Sequence, residues 1–406
     1  MLRGPIAGSR RSSSIGVWEI PGRKGSDRAI GRAGRLSGLY AGAMGIVESE
    51  PSRKHRDVDA SAHWLRAIDD TEREMFGLVG LATALEKRRI VVDEDTGEFL
   101  NVVSFGKIRS DSPIPLVLFH GWGASLGYYW KNVPGLCESF RVHLVDWRGM
   151  GGSSRPPYDL GMCARDAEQW FIAPLRTLLT ELRRIDALGP AAKFSIVAHS
   201  LGGFLMSLYA LERPQDILNL VLVSPVGIPR VPPQKVPSHF PWSKWFVFHF
   251  VFTLWGLNLT PMRVLRWSAF LANVFPRAIA RNIILPRFPD EPSYVQRACV
   301  EYFEAVARAP GSGEYAINTV LEPGGYARAP LCDRLEPLQV PVDFIYGETD
   351  WMDFTHGERL CRDVLKNVSE PPRVFRIPDA GHNVHSANPA AFNKLVIDLC
   401  TEHAQR

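Results

Sequence analysis

Ile196-Val197-Ala198-His199-Ser200-Leu201-Gly202-Gly203 is a β-branched run that stops abruptly at a serine enclosed by small residues. A serine hydroxyl attacks a carbonyl well when it projects from a tight, strained strand-to-helix turn, and that turn tolerates little bulk two residues to either side. Those two positions hold Ala198 and Gly202. Glycine is the usual residue at the first of them, and alanine is the smallest departure from it. The stretch therefore marks Ser200 as a candidate nucleophile at the end of a strand, with a helix starting at Leu201.

A serine needs a base for its proton, and that base is usually a histidine held by a carboxylate. His382 stands after the last strand-like run, in Ile377-Pro378-Asp379-Ala380-Gly381-His382, where glycine lets the loop bring an imidazole over the serine. The carboxylate is expected after the preceding strand, which selects Asp350 in Tyr346-Gly347-Glu348-Thr349-Asp350, with Asp353 second and Asp379 third. The order Ser200, Asp350, His382 is that of the α/β-hydrolase architecture. His199, His356 and His385 read as loop residues, and His199 is expected to point away from the serine's face. Backbone N–H groups that stabilise the developing oxyanion are each worth about 3–4 kcal/mol. The donors expected are Leu201, which opens the helix, and Trp122 in the glycine-rich turn His120-Gly121-Trp122-Gly123-Ala124, whose indole would be free to line an acyl pocket.

Working outward, short apolar runs at Leu116–Phe119, Arg141–Val145, Phe194–Ala198, Leu218–Ser224, Val342–Tyr346 and Arg373–Ile377 mostly alternate with helical patterns. Runs apolar on both faces predict a mainly parallel sheet covered by helices, with the chemistry in loops beyond the carboxyl ends of the strands. A hairpin is expected at Ile90–Val92 and Leu100–Ser104, joined by the turn residues Asp93–Gly97. Ahead of it, Trp64, Ile68, Met75, Leu78, Leu81 and Leu85 keep helical spacing and predict one helix over Ser61–Lys87.

The interval from Ser224 to Val340 is too long for one crossover and reads as a cap. Its Trp245–Leu257 is apolar apart from His249 and Thr253. That is too short to span a bilayer but suits a buried helix or an interfacial segment. The aromatics Trp245, Phe246, Phe248, Phe250, Phe252 and Trp255, flanked by Lys244, Arg263 and Arg266, either seat at a headgroup boundary or pack the cap onto the core; in both cases acyl chains suit it better than sugars or nucleotides. The organisation expected is residues 1–60 as a basic segment, 61–224 as the first part of the core, 225–339 as the cap and 340–406 as the remainder of the core.

The chain has 406 residues, 46% hydrophobic and 22% charged, and a net charge of +4. Residues 1–47 carry eight basic side chains against Glu19 and Asp27, so this arm is +6 and the rest −2. It reads as an organellar transit peptide or a basic disordered arm. Six cysteines without a Cys-x-x-Cys pair suggest neither zinc nor a disulfide framework, and fit a reducing compartment.

With these motifs placed, the chain resembles a lipid-metabolising branch of the α/β-hydrolases that includes a fungal cardiolipin-specific deacylase, a plant lysophosphatidate acyltransferase and lipase, and an animal lipolysis co-activator. The resemblance runs from about residue 61 to the C-terminus. It is carried by Leu118–Ser125 (LFHGWGAS), Val145–Pro156 (VDWRGMGGSSRP), the elbow, Tyr326–Leu331 (YARAPL) and Gly347–Met352 (GETDWM). The second block is expected to be mainly architectural, the alternative being that Arg155 meets a lipid phosphate. The resemblance implies a serine hydrolase with a lipid ester substrate at a peripheral membrane or lipid-droplet surface, needing no metal or other cofactor and no nucleic acid. The cysteine pattern and the basic arm together suggest an intracellular setting, mitochondrial if the arm is a transit peptide and cytoplasmic or lipid-droplet otherwise. Members also tend to carry His-x4-Asp near the C-terminus, a pattern linked to acyl transfer. Here the fifth residue after His382 is Ala387, and none of the other ten histidines completes the pattern. The co-activator lacks the serine that this chain keeps, so the resemblance favours an enzyme.

Overall fold

The computed structural model describes residues 54–108, 115–231, 253, 258–268 and 274–405, with side chains from residue 63 onward except at 274 and 275. Eight strands form one sheet: β1 (Glu86–Asp93), β2 (Glu98–Phe105), β3 (Leu116–Phe119), β4 (Val142–Val145), β5 (Phe194–His199), β6 (Ile217–Val223), β9 (Val342–Gly347) and β10 (Arg373–Ile377). β7 (Leu321–Glu322) and β8 (Tyr326–Ala327) pair separately as a small ribbon. The order in the large sheet is β1-β2-β4-β3-β5-β6-β9-β10, antiparallel through β1, β2 and β4 and parallel from β4 to β10. This is the mainly parallel α/β-hydrolase sheet expected from the alternation of apolar runs.

The central strands are mostly apolar on both faces because both faces are covered. Val117, Phe119, Ile196, Ala198, Leu220 and Leu222 face one core, shared with helices α2 (Ala164–Ile172), α3 (Leu175–Ile185) and α4 (Leu201–Glu212). Their neighbours Leu116, Leu118, Val197, Val221 and Val223 face the other, shared with α1 (Lys54–Gly77) and the C-terminal helix Pro389–Ala404. Side chains alternate across a strand, so two cores require an unbroken apolar run.

The helix expected over Ser61–Lys87 is corrected at both ends. It starts at Lys54 and stops at Gly77. Leu81 N–H reaches back to the Phe76 carbonyl at 2.9 Å and Gly80 takes φ +75°, a left-handed turn that terminates the helix. Leu78, Leu81 and Leu85 still pack on the same core from this turn, which is how they keep the helical spacing without the helix. The hairpin forms as read: Asp93 Oδ1 accepts from the N–H groups of Asp95 and Thr96 at 3.0 and 3.1 Å, and Gly97 has φ +70°.

Between β6 and β9 the described residues form α5 (Pro261–Ser268), α6 (Val274–Ile284), α7 (Ser293–Arg308) and the β7–β8 ribbon. The basic arm over residues 1–47 and, apart from Thr253, the aromatic segment Trp245–Leu257 lie outside the described residues. Arg266, one of the cations flanking the aromatic segment in either reading of it, is tied within the cap to Glu314, the Tyr315 hydroxyl and the Ala307 and Ala309 carbonyls.

The loop after β4 pins the cap to the core. Asp146 is fully buried and accepts from Ser125 Oγ, Leu126 N–H, Asn101 Nδ2 and Gly152 N–H, each at 2.8 Å, with His120 Nε2 at 3.3 Å. Burial opposes its charge, but the bonds from His120, Asn101 and Gly152 prevail and hold the carboxyl below the usual range. Gly151 adopts φ +51°, and a Cβ there would lie 2.1 Å from Asp146 Cγ, so the loop closes around the carboxylate only with glycine. From the cap, Tyr302 on α7 bonds Ser125 Oγ and accepts from Gly127 N–H at 3.1 Å. Gly313 N–H donates to the Gly149 carbonyl at 3.0 Å. Arg155 donates to the Gly151 and Pro310 carbonyls at 2.7 and 3.2 Å, with Glu314 3.9 Å away. These contacts fit the architectural reading of the block.

Glu72 on α1 lies beside this network, bonded by Lys87 and by Asn101 Nδ2 at 3.1 Å. Burial outweighs the pull of Lys87 and lifts its pKa to about 7, with Asp146 adding to the rise. A carboxyl raised in the folded state binds its proton more tightly there than in the unfolded chain. Its stabilising contribution is therefore complete below about pH 4.5 and is lost as pH climbs through about 7. Thermal melts from pH 5 to 8 should show this loss, on the order of 3 kcal/mol if the whole shift is expressed. Glu72→Gln should flatten the curve while Lys87 keeps Asp69 as its partner; an unchanged slope would contradict the assignment.

Candidate active site

β5 lies between β3 and β6, so the loops leaving their carboxyl ends meet at one rim. Ser200 occupies the turn from β5 into α4 with φ +54° and ψ −116°, a strained conformation for a residue with a Cβ. Two backbone bonds extend the ladder beyond the strands and anchor this rim. Ser200 N–H donates to the Val223 carbonyl and Ser224 N–H to the Ile345 carbonyl, both at 2.8 Å. Small residues are required by close approach: a Cβ on Gly202 would sit 2.6 Å from the His120 carbonyl oxygen.

The structure brings Ser200, His382 and Asp350 together. His382 Nε2 is 3.0 Å from Ser200 Oγ, and His382 Nδ1 is 3.0 Å from Asp350 Oδ1. The loops carrying the imidazole and the carboxylate meet at Gly347, where a Cβ would come within 2.3 Å of the Ala380 and Gly381 carbonyls. Asp350 is buried and accepts from Met352 N–H at 2.9 Å and from Ser224 Oγ. Burial pushes its pKa up, but bonding and charge from His382, with help from Ser224 and Met352, pull it below the usual range. Asp353 caps the next helix through Thr355 N–H at 2.9 Å, and Asp379 is exposed with φ +54°, so neither faces His382 as Asp350 does.

Trp122 and Leu201 flank the serine. Leu201 is the first residue of α4, where an N–H has no intrahelical acceptor. The turn carrying Trp122 abuts the elbow, since a Cβ on Gly121 would lie 2.9 Å from Ser200 Cβ. The indole is not free, as read from sequence: its Nε1 donates to the Glu314 carbonyl at 3.0 Å and so joins the turn to the cap. Met262 from α5 packs, buried, against the turn at Gly123, and the exposed Trp351, whose ring centroid is 4.9 Å from that of His382, adds apolar surface at the rim.

Near the site, the readings of His199 and His385 as loop residues are corrected, and Ser224 went unread. His199 is not a loop residue turned away but the buried last residue of β5. Its Nε2 lies 2.9 Å from the His382 carbonyl, an acceptor only, so Nε2 carries the hydrogen. Burial, reinforced by His382 and His385, keeps its pKa well below that of a free imidazole, and the ring stays neutral. His385 is likewise buried, against Tyr129, and burial drops its pKa to about 3. Ser224 supports Asp350; its position directly after β6 was the only available signal. His356 stands apart, 4.0 Å from Asp353. Among the described residues no group of three or more His, Cys, Asp or Glu is arranged to hold a metal ion.

Residues 114–270 match the family model described as the α/β-hydrolase fold. A rice protein named probable 1-acylglycerol-3-phosphate O-acyltransferase is 30% identical, over 98% of this chain and 86% of its own length. A mouse protein named (lyso)-N-acylphosphatidylethanolamine lipase is 29% identical, over 70% of this chain and 79% of its own. Among solved structures, a bacterial membrane phospholipase A described as a virulence factor superposes with a TM-score of 0.55 at 17% identity, covering 94% of this chain and 100% of that one, a likeness of fold. Sheet order, rim geometry and these similarities together make the chain a member of the α/β-hydrolase family, related to the plant acyltransferase and mammalian lipase proteins just named.

Proposed function

We propose that this protein is a serine hydrolase that deacylates a glycerophospholipid or a related acyl lipid ester. The observation that carries the reading is the 3.0 Å separation between Ser200 Oγ and His382 Nε2. Ser200 Oγ attacks the ester carbonyl carbon while its proton passes to His382 Nε2, and Asp350 stabilises the imidazolium through Nδ1–H. The N–H groups of Leu201 and Trp122 hold the oxyanion. Collapse of the tetrahedral adduct expels the lysolipid alkoxide, which takes the proton from His382. Water, deprotonated by the same imidazole, then attacks the acyl-serine and releases the fatty acid. The exposed apolar face of Trp351 beside His382, and the relatives named for acyl phospholipid chemistry, support a lipid acyl chain as substrate.

The name of the rice relative favours a second reading, in which acyl-CoA loads the serine and a lysolipid hydroxyl takes the place of water. Ala387, exposed on the short helix Val384–Ala387, puts no carboxylate at the position the His-x4-Asp pattern requires. Purified protein should release labelled fatty acid from phospholipid vesicles and form little phosphatidate from labelled acyl-CoA and lysophosphatidate. Phosphatidate formation without fatty-acid release would reverse the assignment, and vesicle binding without either product would make the protein an adaptor.

His199 is a positioning residue under this mechanism, since its Nε2–H holds the backbone of the base. His199→Ala should lower kcat by roughly 10–100-fold, the cost of an imidazole displaced by a fraction of an ångström to an ångström, with KM little changed. Wild-type kcat in this variant would remove His199 from the machinery.

A further inference from the structure

A cleft of about 330 Å³ opens between α6 and α7 of the cap, and among the described residues its lining includes Arg277, Arg281, Arg297, Tyr294, Leu285 and Val300 but no carboxylate. Arg277 and Arg281 stand one helical turn apart on α6, and Arg297 faces them from α7. The acids on and just before these helices are paired with other cations, one of them the third arginine of the cleft, Arg277. Glu301 pairs with Arg277 at 2.7 Å, Glu304 with Arg308 at 2.8 Å, and Glu291 with Lys131. Among the described residues no carboxylate pairs with Arg281 or Arg297. Two guanidinium groups converging without a counter-anion are the arrangement that receives phosphate oxygens in a forked, bidentate manner. Tyr294 is 58% exposed at the same cleft, over apolar Leu285 and Val300. An aromatic ring with a polar tip beside cations is the composition of a surface that sits at lipid head-group depth.

We propose that this cleft is a phosphate head-group site through which the cap docks on an anionic phospholipid bilayer, separate from Ser200. The occupant is a membrane rather than a free phosphate, because Tyr294 and the apolar floor offer contacts that only a head group with attached glycerol and acyl carbons can use. The site goes beyond the hydrolase reading and does not require it.

The full chain carrying Ser200→Ala keeps vesicles intact and separates the two proposals. It should co-sediment far better with vesicles of phosphatidylcholine and phosphatidylglycerol than with phosphatidylcholine alone. R281A/R297A in that background should lose roughly 25-fold in partition, about fivefold per arginine, with an unchanged melting temperature. Replacing two arginines of the N-terminal arm, R10A/R11A, provides the charge-matched control and should cost less. An equal loss in that control, unchanged partition in the cleft variant, or inorganic phosphate bound in the cleft with no vesicle binding would each overturn the proposal. Should the double variant fail to fold, Arg281→Gln alone is read the same way, with a roughly fivefold loss expected. Persistent hydrolysis by the Ser200→Ala protein would refute the catalytic reading while leaving this one intact.

Discussion

Ser200→Ala should reduce fatty-acid release from phospholipid vesicles by at least about 10⁴-fold, because the atom that forms the acyl-enzyme bond is gone and no neighbouring group replaces it. What remains is the stabilisation from backbone donors and binding, which keeps removal of a nucleophile from reducing the rate to that of water alone. The fold should survive. Ser200 Oγ bonds only His382 among the described side chains, the backbone bond from Ser200 N–H to Val223 is untouched, and alanine enters φ +54° with no more strain than serine. Turnover and a thermal melt on the same preparation check both halves of the expectation, and full activity would end the serine mechanism.

Asp350→Asn should cost roughly 10⁴-fold in kcat with the protein folded, a size known for this change in an unrelated serine protease. The carboxylate now takes His382 Nδ1–H on Oδ1 and the Ser224 hydroxyl on Oδ2. An amide keeps the volume but turns one oxygen into a donor, so either Ser224 or the imidazole loses its acceptor. An imidazole that shifts its hydrogen to Nε2 cannot take the proton of Ser200. Because the Asp350 pKa sits below the ordinary carboxylate range, protonation of this group contributes nothing to the pH profile near neutrality. A kcat within tenfold of wild type would show that another group orients the base.

The sheet and the elbow were legible because their signals are local. A buried parallel strand announces itself as an unbroken apolar run, and the small residues around Ser200 answer contacts that recur wherever a strand turns so sharply into a helix. Asp350 could be ranked above Asp353 and Asp379 from its place directly after β9, and the structure puts it alone against His382. What escaped reading depends on contacts across the chain. Leu78, Leu81 and Leu85 fall at helical spacing for reasons of packing, and only Gly77 and Gly80 betrayed the turn. His199 and His385 look like any loop histidines until residues 183 and 186 positions apart, in the case of His199, are folded together. The Trp122 indole looked free because its acceptor is a carbonyl 192 residues away.

Tyr302, seated against Ser125 beside Asp146, gives the lid a root in the body of the enzyme. Grafting a foreign lid to change what the enzyme accepts would pull that root and leave the Gly127 N–H and one side of the Ser125 hydroxyl without their buried partner. Recombination that retains Tyr302 together with Ser125 and Asp146 should yield folded chimaeras. New preferences are accordingly best sought at the outer helices and rim, where side chains can be exchanged without disturbing the keystone.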